Sequence, residues 1–339
     1  MRNKHVYIIA ELSANHNNNF DIAVKSVKAM ADAGADAVKV QTYTADSLSI
    51  DVDNEYYKPK TEGLWKGYRP YDLYKEAAMP YEWQPKLQKI AGDLGLEFFS
   101  SPFDKEGVDF LETLNVPRYK IASFEITDIP LIEYTAKTGK PIIMSTGVAA
   151  LEDIQLAVET CRKAGNDDIT LLKCTSNYPA TIEDANLLTI PDLKGRFETE
   201  VGVSDHTMGH TVPVVAVSLG ATVVEKHFIL DRGMGGPDSA FSMEPNEFKL
   251  MTEEVRKAEK ALGEVNYEVS DRDKLRRRSL FVVKDIKRGE PFTNENIRSV
   301  RPGHGLSPKY LPQILGTKAK IEMKKGRPLT RELLKPIEL

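Results

Sequence analysis

The feature that most constrains the fold is a regular alternation of short apolar runs with longer amphipathic stretches between residues 6 and 262. Each apolar run is rich in Val, Ile and Phe and is bounded by turns, which is typical of a buried strand. The stretches between them, such as residues 21–33 and 151–164, predict helices. Eight strand-then-helix units in series predict a closed (β/α)8 TIM barrel over residues 1–262. The runs are residues 6–12, 37–43, 97–103, 119–123, 141–146, 169–175, 200–204 and 221–228.

An open, doubly wound sheet is the alternative fold for alternating strands and helices. That fold normally carries a glycine-rich phosphate loop directly after its first strand. Here the first run is followed by Ser13, Ala14, Asn15 and His16, and this segment contains no glycine. The closed barrel is therefore the better prediction.

Three regions depart from the alternation. Residues 49–79 form a long insertion with many aromatic residues, which is either a functional lid or a surface elaboration. Residues 263–278 are polar and charged and predict a linker. Residues 279–339 contain short runs separated by many turns, and they predict a small β-rich domain.

Charge and cysteine content narrow the range of partners and compartments. The formal net charge is −4, which gives no indication of binding to nucleic acid or to an anionic membrane. Two cysteines in 339 residues argue against a disulfide framework and favour the reducing cytoplasm. No apolar run has the length of a secretion signal or a bilayer span. We therefore expect a cytoplasmic protein.

Polar residues end or follow the predicted strands, and barrels of this kind bind and transform substrates at the carboxyl ends of their strands. Lys39 and Lys120 lie within two of the apolar runs, and Ser101, Ser123 and Ser145 lie at or near the ends of runs. Lysine supplies a point charge and serine supplies directional donors, so this set predicts a cradle for a small phosphorylated anion. The alternative is that each lysine merely reaches past the apolar core to the surface.

Two histidines predict a metal site. His206 and His227 come at the ends of neighbouring runs, so their imidazoles could converge on one divalent cation. Substrate or water would fill the other coordination positions, as at an open catalytic site. The alternative for each histidine is a hydrogen-bonded structural role.

Six segments carry a family resemblance: AELSANH at residues 10–16, AGADAVK at 33–39, YKIAS at 119–123, STG at 145–147, SDHT at 204–207 and EKHF at 225–228. Together they resemble the sialic acid synthase family, the nonulosonate synthases. The resemblance covers essentially the whole chain, and residues 279–339 resemble the antifreeze-like SAF domain of that family. It implies a transferase that joins phosphoenolpyruvate to an acetamido sugar and releases phosphate.

Further segments are similar to one branch of the family, the enzymes that make pseudaminic acid. They include GLW at residues 63–65, YDLYKEA at 71–77 and KCTSNYP at 173–179. Family members that use N-acetylmannosamine usually carry asparagine where this chain has Ser176. The resemblance therefore implies a different sugar, 2,4-diacetamido-2,4,6-trideoxy-altropyranose. Synthases of N-acetylneuraminate, of legionaminate or of spore-coat polysaccharide remain the alternatives.

The resemblance also implies roles for individual residues. His206 and His227 would hold a divalent metal, Mn²⁺ or Mg²⁺, and would form the catalytic set together with Glu11 as the acid/base group. The small domain of one subunit would cap the barrel of its partner, which implies a domain-swapped homodimer. The implied phosphoenolpyruvate site comprises Lys39, Ser101, Lys120, Ser123, Ser145 and Ser204. The implied sugar site comprises Glu125, Ser176, Tyr178, Asp238 and Arg301.

Two other classes of function stay open at this point. The first is another barrel enzyme acting on phosphorylated substrates. It would be either a sugar-phosphate synthase or an aldolase in which Lys120 forms a Schiff base with the substrate. The second is a non-catalytic carbohydrate-binding or ice-binding protein whose activity lies in the small domain. The convergent lysines and histidines of the barrel argue against the second, because a scaffold does not need them.

Overall fold

A computed structural model describes residues 5–334 of the chain. Within these residues, eight parallel strands close into a barrel in sequence order, so that each strand pairs with the next and the last pairs with the first. The predicted TIM barrel is confirmed. The barrel strands are β1 (Tyr7–Glu11), β2 (Ala37–Thr42), β3 (Glu97–Pro102), β4 (Tyr119–Ile121), β5 (Ile142–Ser145), β6 (Ile169–Cys174), β7 (Glu200–Asp205) and β8 (Val223–His227).

The barrel strands form where the apolar runs predict them. Consecutive residues such as Ile8 and Ile9 are both fully buried, because one faces the lumen and the other faces the helices. Strand β7 extends one residue beyond its apolar run, to Asp205, since Asp205 pairs in register with Lys226 on β8. Continuous hydrophobicity thus predicts the strands well. A charged residue at a strand end, such as Asp205, is recognised as part of the strand only from its pairing with the neighbouring strand.

Helices cover the outside of the barrel, and local signals fix where they begin. The Asn19 side chain caps α1 by accepting from the backbone N–H of Asp21, and Asp104 caps α5 in the same way. Proline occupies the first turn of α3, α4, α6 and α10, where its missing N–H is harmless. The helices are α1 (Phe20–Asp32), α2 (Ala45–Leu48), α3 (Pro70–Ala77), α4 (Gln84–Asp93), α5 (Lys105–Thr113), α6 (Ile129–Ala136), α7 (Leu151–Lys163), α8 (Thr189–Phe197), α9 (Thr211–Ser218), α10 (Pro245–Leu262), α11 (Asp271–Leu275) and α12 (Leu311–Ile314).

The chain divides into two compact units, Met1–Gly263 and Glu264–Leu339. In the second unit, β9 (Ser279–Val282) pairs antiparallel with β10 (Ile297–Val300) over a separate small core. The polar segment 263–278, predicted as a linker, contains helix α11. A Ser270 cap and ion pairs between side chains three residues apart stabilise this helix.

The helices described for residues 5–334 include none that is both long and apolar enough to cross a membrane.

Candidate active site

Four buried charged side chains fill the lumen at the carboxyl ends of the strands. Glu11 on β1 and Lys39 on β2 lie opposite each other in register, and their charged atoms are 2.5 Å apart. Glu225 on β8 lies 3.8 Å from Lys39 Nζ and 3.6 Å from Lys120 Nζ on β4. All four are 5% exposed or less. Because charges buried so deeply are expensive, a cluster of this kind marks a functional site.

The predicted serines surround this cluster. Ser101 Oγ accepts from Lys39 Nζ at 3.4 Å, and Ser204 Oγ donates to Glu225 at 2.9 Å. Ser123 Oγ accepts the backbone N–H of Gly147 at 3.2 Å. The hydroxyl of Ser145 is buried without a hydrogen-bond partner. A buried donor without a partner is costly unless a ligand uses it, so the Ser145 hydroxyl is free to donate a hydrogen bond to an anion.

The charges within the cluster are unequally stabilised. Burial raises the pKa of Glu225, but attraction to Lys120 and Lys39 outweighs it and leaves this pKa below its usual value. Burial lowers the pKa of Lys120, in spite of Glu225, whereas it raises the pKa of Glu11, in spite of Lys39. Lys120 is therefore the cation that would gain most from another anion. An anionic ligand beside Lys120 would hold it in the charged form.

The two predicted metal ligands lie together at the top of the lumen. The ring centroids of His206 and His227 are 5.2 Å apart. His206 Nδ1 is 2.9 Å from the carbonyl oxygen of Thr175. Although burial lowers it, a hydrogen bond with the Cys174 thiol leaves the pKa of the His206 ring above its usual value. Nδ1 of His227 is buried and has no hydrogen-bond partner, and burial lowers the pKa of this ring well below its usual value.

These two rings fit a divalent cation in an open site. The lowered pKa keeps His227 in the neutral form that a metal requires, whereas His206, whose pKa is raised, would release a proton on binding one. The Asp238 carboxylate lies 3.9 Å from His227 Nδ1. Among residues 5–334 no three His, Cys, Asp or Glu side chains converge closely enough to hold a metal by themselves. Substrate or water would have to supply the remaining ligands.

A cavity of about 350 Å³ opens beside the lumen, and an aromatic wall leads into it. Tyr178 packs against His206 with ring centroids 4.4 Å apart and against Phe241 at 4.9 Å. Trp65 continues the wall 5.7 Å from Tyr178, and its indole N–H donates to the Pro237 carbonyl at 2.9 Å. The insertion 49–79 therefore supplies part of the cavity wall. The sequence analysis left two alternatives for this insertion, a functional lid or a surface elaboration, and its place in the cavity wall favours the first.

Carboxylates line the polar side of the same cavity. Burial raises the pKa of Glu125 to about 7, against the opposing attraction of Lys120, and one of its oxygens lacks a partner. Asp238 accepts from the Ser13 hydroxyl at 2.5 Å. Gln41 bridges this region to the charged cluster by donating to Ser13 at 2.9 Å and to Glu11 at 3.2 Å. The cavity thus joins hydrogen-bonding groups to an apolar wall, as sugar-binding sites do.

One predicted sugar-site residue of the barrel, Ser176, lies outside the wall of this cavity. Ser176 is half-buried beside Cys174, with the oxygen and sulfur 3.7 Å apart. Gly147 makes room for it, since a Cβ at Gly147 would overlap Ser176 Oγ and lie 2.9 Å from Ser123 Oγ. Arg301 is an exposed residue of the second unit. Its role in the sugar site remains a prediction.

Glu225, Gln41 and Trp65 are among the residues of the site that the sequence analysis gave no role. Glu225 and Gln41 could have been found by strand alternation, because Glu225 is two residues from His227 and Gln41 is two residues from Lys39. Trp65 gave no comparable signal, since its contact with Pro237 spans 172 residues.

Comparison with known proteins identifies the family. The model of the NeuB family matches residues 26–267, and that of the SAF domain matches residues 277–335. The chain belongs to the NeuB family, and the predicted nonulosonate synthase enzyme is confirmed. It is 47% identical to a pseudaminic acid synthase of Campylobacter jejuni over 95% of both chains, and 46% identical to one of Helicobacter pylori over 96% of both.

A solved relative has the same architecture. It is the N-acetylneuraminic acid synthetase of Leptospira borgpetersenii, in complex with citrate, at 32% identity and a TM-score of 0.72. The match covers 80% of this chain and 90% of that one.

Proposed function

We propose that this enzyme condenses phosphoenolpyruvate with 2,4-diacetamido-2,4,6-trideoxy-altropyranose to give pseudaminic acid and phosphate. The observation that carries this proposal is the near-full-length identity of 46–47% with the pseudaminic acid synthases. Identity to the N-acetylneuraminic acid synthetase is lower, at 32%. The apolar wall of the cavity supports the same choice, because this sugar carries two acetamido methyl groups and a methyl group at C6.

Phosphoenolpyruvate would bind in the charged lumen. Lys39 and Lys120 supply two positive charges, and Ser145 supplies a free hydroxyl donor. The ion pair of Lys120 with Glu225 is long, at 3.6 Å, so an incoming phosphate could approach Lys120 more closely. Ser101 beside Lys39 would orient a second anionic oxygen.

The reaction needs one new carbon–carbon bond and one broken carbon–oxygen bond. C3 of phosphoenolpyruvate attacks the aldehyde carbon of the open-chain sugar, whose oxygen takes up a proton. Water adds at the cationic C2, loses a proton, and phosphate leaves with the electrons of its bond to C2. Glu11 is buried at the base of this region and can hold or release a proton there. Its carboxylate form would also stabilise positive charge at C2.

A divalent metal, Mn²⁺ or Mg²⁺, completes the proposal. His206 and His227 would hold it, and when bound it would polarise the sugar aldehyde as a Lewis acid. Glu125 and Asp238 face the same cavity and would hold hydroxyl or amide groups of the sugar. These roles position the aldehyde carbon near the phosphoenolpyruvate site.

The proposal includes a cytoplasmic, domain-swapped homodimer in which Arg301 reaches the sugar site of the partner subunit. The polar segment 263–278 and the separate core of the second unit support it, because the unit has its own fold. Mixing Glu11→Ala with Arg301→Ala subunits tests it. Shared sites predict recovery of activity, since each heterodimer has one site free of both changes. Confirmed heterodimers without recovery would contradict it.

A phosphate-release assay tests the reaction itself. Phosphoenolpyruvate is offered with a panel of acetamido sugars, in the presence of Mn²⁺. We expect a higher kcat/KM for the 2,4-diacetamido-2,4,6-trideoxy sugar than for N-acetylmannosamine, and no activity in excess chelator. Higher kcat/KM with N-acetylmannosamine would overturn the sugar assignment, and full activity in chelator would overturn the metal.

A further inference from the structure

A second buried ion pair lies outside the lumen, behind the two histidines. Lys226 Nζ donates to Asp205 Oδ2 at 2.7 Å, and the two side chains are 1% and 3% exposed. The residues face each other in register on β8 and β7. Because neighbouring residues of a strand point to opposite faces, this pair lies on the helix side of the wall, whereas Ser204 and Glu225 face the lumen.

The pair stands where the two strands separate. Asp205 and Lys226 form the last paired position between β7 and β8 in the described residues, and His206 and His227 come directly after it. Beyond this point the strand ladder no longer fixes the distance between the two chain segments. The side-chain pair therefore links the two segments at the residues directly before both histidines.

The same pair also fixes the turn that follows His206. Asp205 accepts from the backbone N–H of Thr207 at 2.9 Å and from its hydroxyl at 3.0 Å. Lys226 also donates to the carbonyl oxygen of Thr207. Residues on both sides of His206 are thus tied to the residue that precedes His227.

Stability alone does not account for such a pair. Two charges removed from water lose hydration that their attraction barely repays, and apolar side chains of the same volume often stabilise a fold equally well. Buried polar pairs are better attested as devices that fix register. Groups that lie behind metal ligands commonly orient them, and their loss typically lowers metal affinity about 10- to 100-fold.

We infer that the Asp205–Lys226 pair is a positioning device, which holds the ends of β7 and β8 so that the rings of His206 and His227 keep the 5.2 Å separation needed to share one divalent cation. This inference rests on the proposed metal role of the two histidines. It assigns a function in metal binding to two residues that touch neither substrate nor metal.

The test uses the double variant Asp205→Asn/Lys226→Met. Asparagine keeps an oxygen acceptor for Thr207, and methionine fills the volume of the lysine stem without leaving a buried charge unpaired. The control is Glu97→Gln/Arg118→Met, which removes an ion pair at the amino ends of β3 and β4. The probe is Mn²⁺ alone, added to the full-length protein. Its binding is followed by the loss of the free Mn²⁺ paramagnetic resonance signal, and folding is followed by circular dichroism.

We expect wild type and the control to bind Mn²⁺ equally well, and the Asp205→Asn/Lys226→Met variant to be folded with an affinity about 10- to 100-fold lower. His206→Ala should abolish binding. A folded variant with the affinity of wild type would overturn the positioning role and leave the metal site intact. Absence of Mn²⁺ binding by wild type would overturn the proposed metal site itself, and the inference with it.

A milder variant keeps the inference testable if the double variant does not fold. Thr207→Val removes the hydroxyl that donates to Asp205 and leaves the ion pair in place. The loss of one such bond predicts an affinity about fivefold lower. Unchanged Mn²⁺ affinity of Thr207→Val would overturn the inference.

Discussion

The two ends of the barrel carry ion pairs of different kinds. At the amino ends, Glu97 and Arg118 pair beside solvent, with side chains 30% and 26% exposed. At the carboxyl ends, Lys120 and Glu225 are 3.6 Å apart, with side chains 2% and 6% exposed. A half-exposed pair is cheap to desolvate and contributes modestly to stability, whereas a fully buried cluster is costly. The difference indicates that the amino-end pair contributes modestly to stability, whereas the carboxyl-end cluster, which costs stability, is retained for another reason.

The largest expected effect comes from breaking each pair in turn. Lys120→Met should lower kcat/KM about 100- to 1,000-fold, because it removes a charge aimed at the departing phosphate. It should also lower the free energy of unfolding, because Glu225 loses a buried partner. Arg118→Met should lower the free energy of unfolding by about 1 kcal/mol and change kcat/KM less than about twofold. Phosphate release measures the first quantity.

Urea unfolding followed by tryptophan fluorescence measures the second. Both tryptophans, Trp65 and Trp83, lie in the barrel, so the signal reports this unit alone. Equal losses of activity in Lys120→Met and Arg118→Met would mean that the two ends do not differ in role.

A glycine at the carboxyl end gives the next largest effect. Gly147→Ala should lower kcat/KM about 10- to 100-fold, because the new Cβ would displace the Ser176 and Ser123 hydroxyls. Gly92→Ala is the matched control, since a Cβ at Gly92 meets no atom within 4 Å. Helix α4 contains Gly92, so the control should keep activity and gain slightly in stability. Activity of wild-type level in Gly147→Ala would remove these hydroxyls from the site.

The pH dependence of stability distinguishes a carboxylate at the carboxyl end, Glu125, from one at the amino end, Glu112. Burial raises the pKa of Glu125 to about 7, so the folded state binds the extra proton between pH 4.5 and 7. Stability is therefore lost as the pH rises through this window, and Glu125→Gln avoids the loss. The variant should gain about 2 kcal/mol relative to wild type between pH 5 and pH 8, in urea unfolding followed by fluorescence.

The control is Glu112, which lies at the amino end of the barrel and whose pKa is shifted in the opposite direction. Although burial raises it, hydrogen bonds from Lys140 and Tyr119 bring the pKa of Glu112 below its usual value. The contribution of Glu112 is thus present above its unfolded pKa and is lost only in acid. Glu112→Gln should be less stable than wild type by the same amount at pH 5 and pH 8. A pH-independent difference for Glu125→Gln would show that Glu125 is ionised normally.

The sequence predicts most of the barrel because its signals are local. Continuous apolar runs locate each strand, and Asn19 or Asp104 marks the start of a helix. Strand ends at one edge of a barrel must converge, so the strand pattern alone is enough to group Lys39 with Lys120. What stayed hidden depends on pairing across the fold. The register of Asp205 with Lys226 is of this kind, and so is the contact of Trp65 with Pro237.

The smallest expected effect asks how far the carboxyl-end site extends from its buried charges. Trp65 is held by its bond to the Pro237 carbonyl and packs on Tyr178, so it forms the end of the aromatic wall away from His206. In the proposed reaction, methyl groups of the diacetamido sugar would contact this end, and phosphoenolpyruvate would bind in the lumen. Trp65→Ala should therefore raise the KM for the sugar about fivefold and leave the KM for phosphoenolpyruvate unchanged. Tyr56→Ala is the control, because Tyr56 belongs to the same insertion but is 80% exposed, and it should change neither KM. Equal increases in both KM values would mean that Trp65 closes the whole site and makes no contact specific to the sugar.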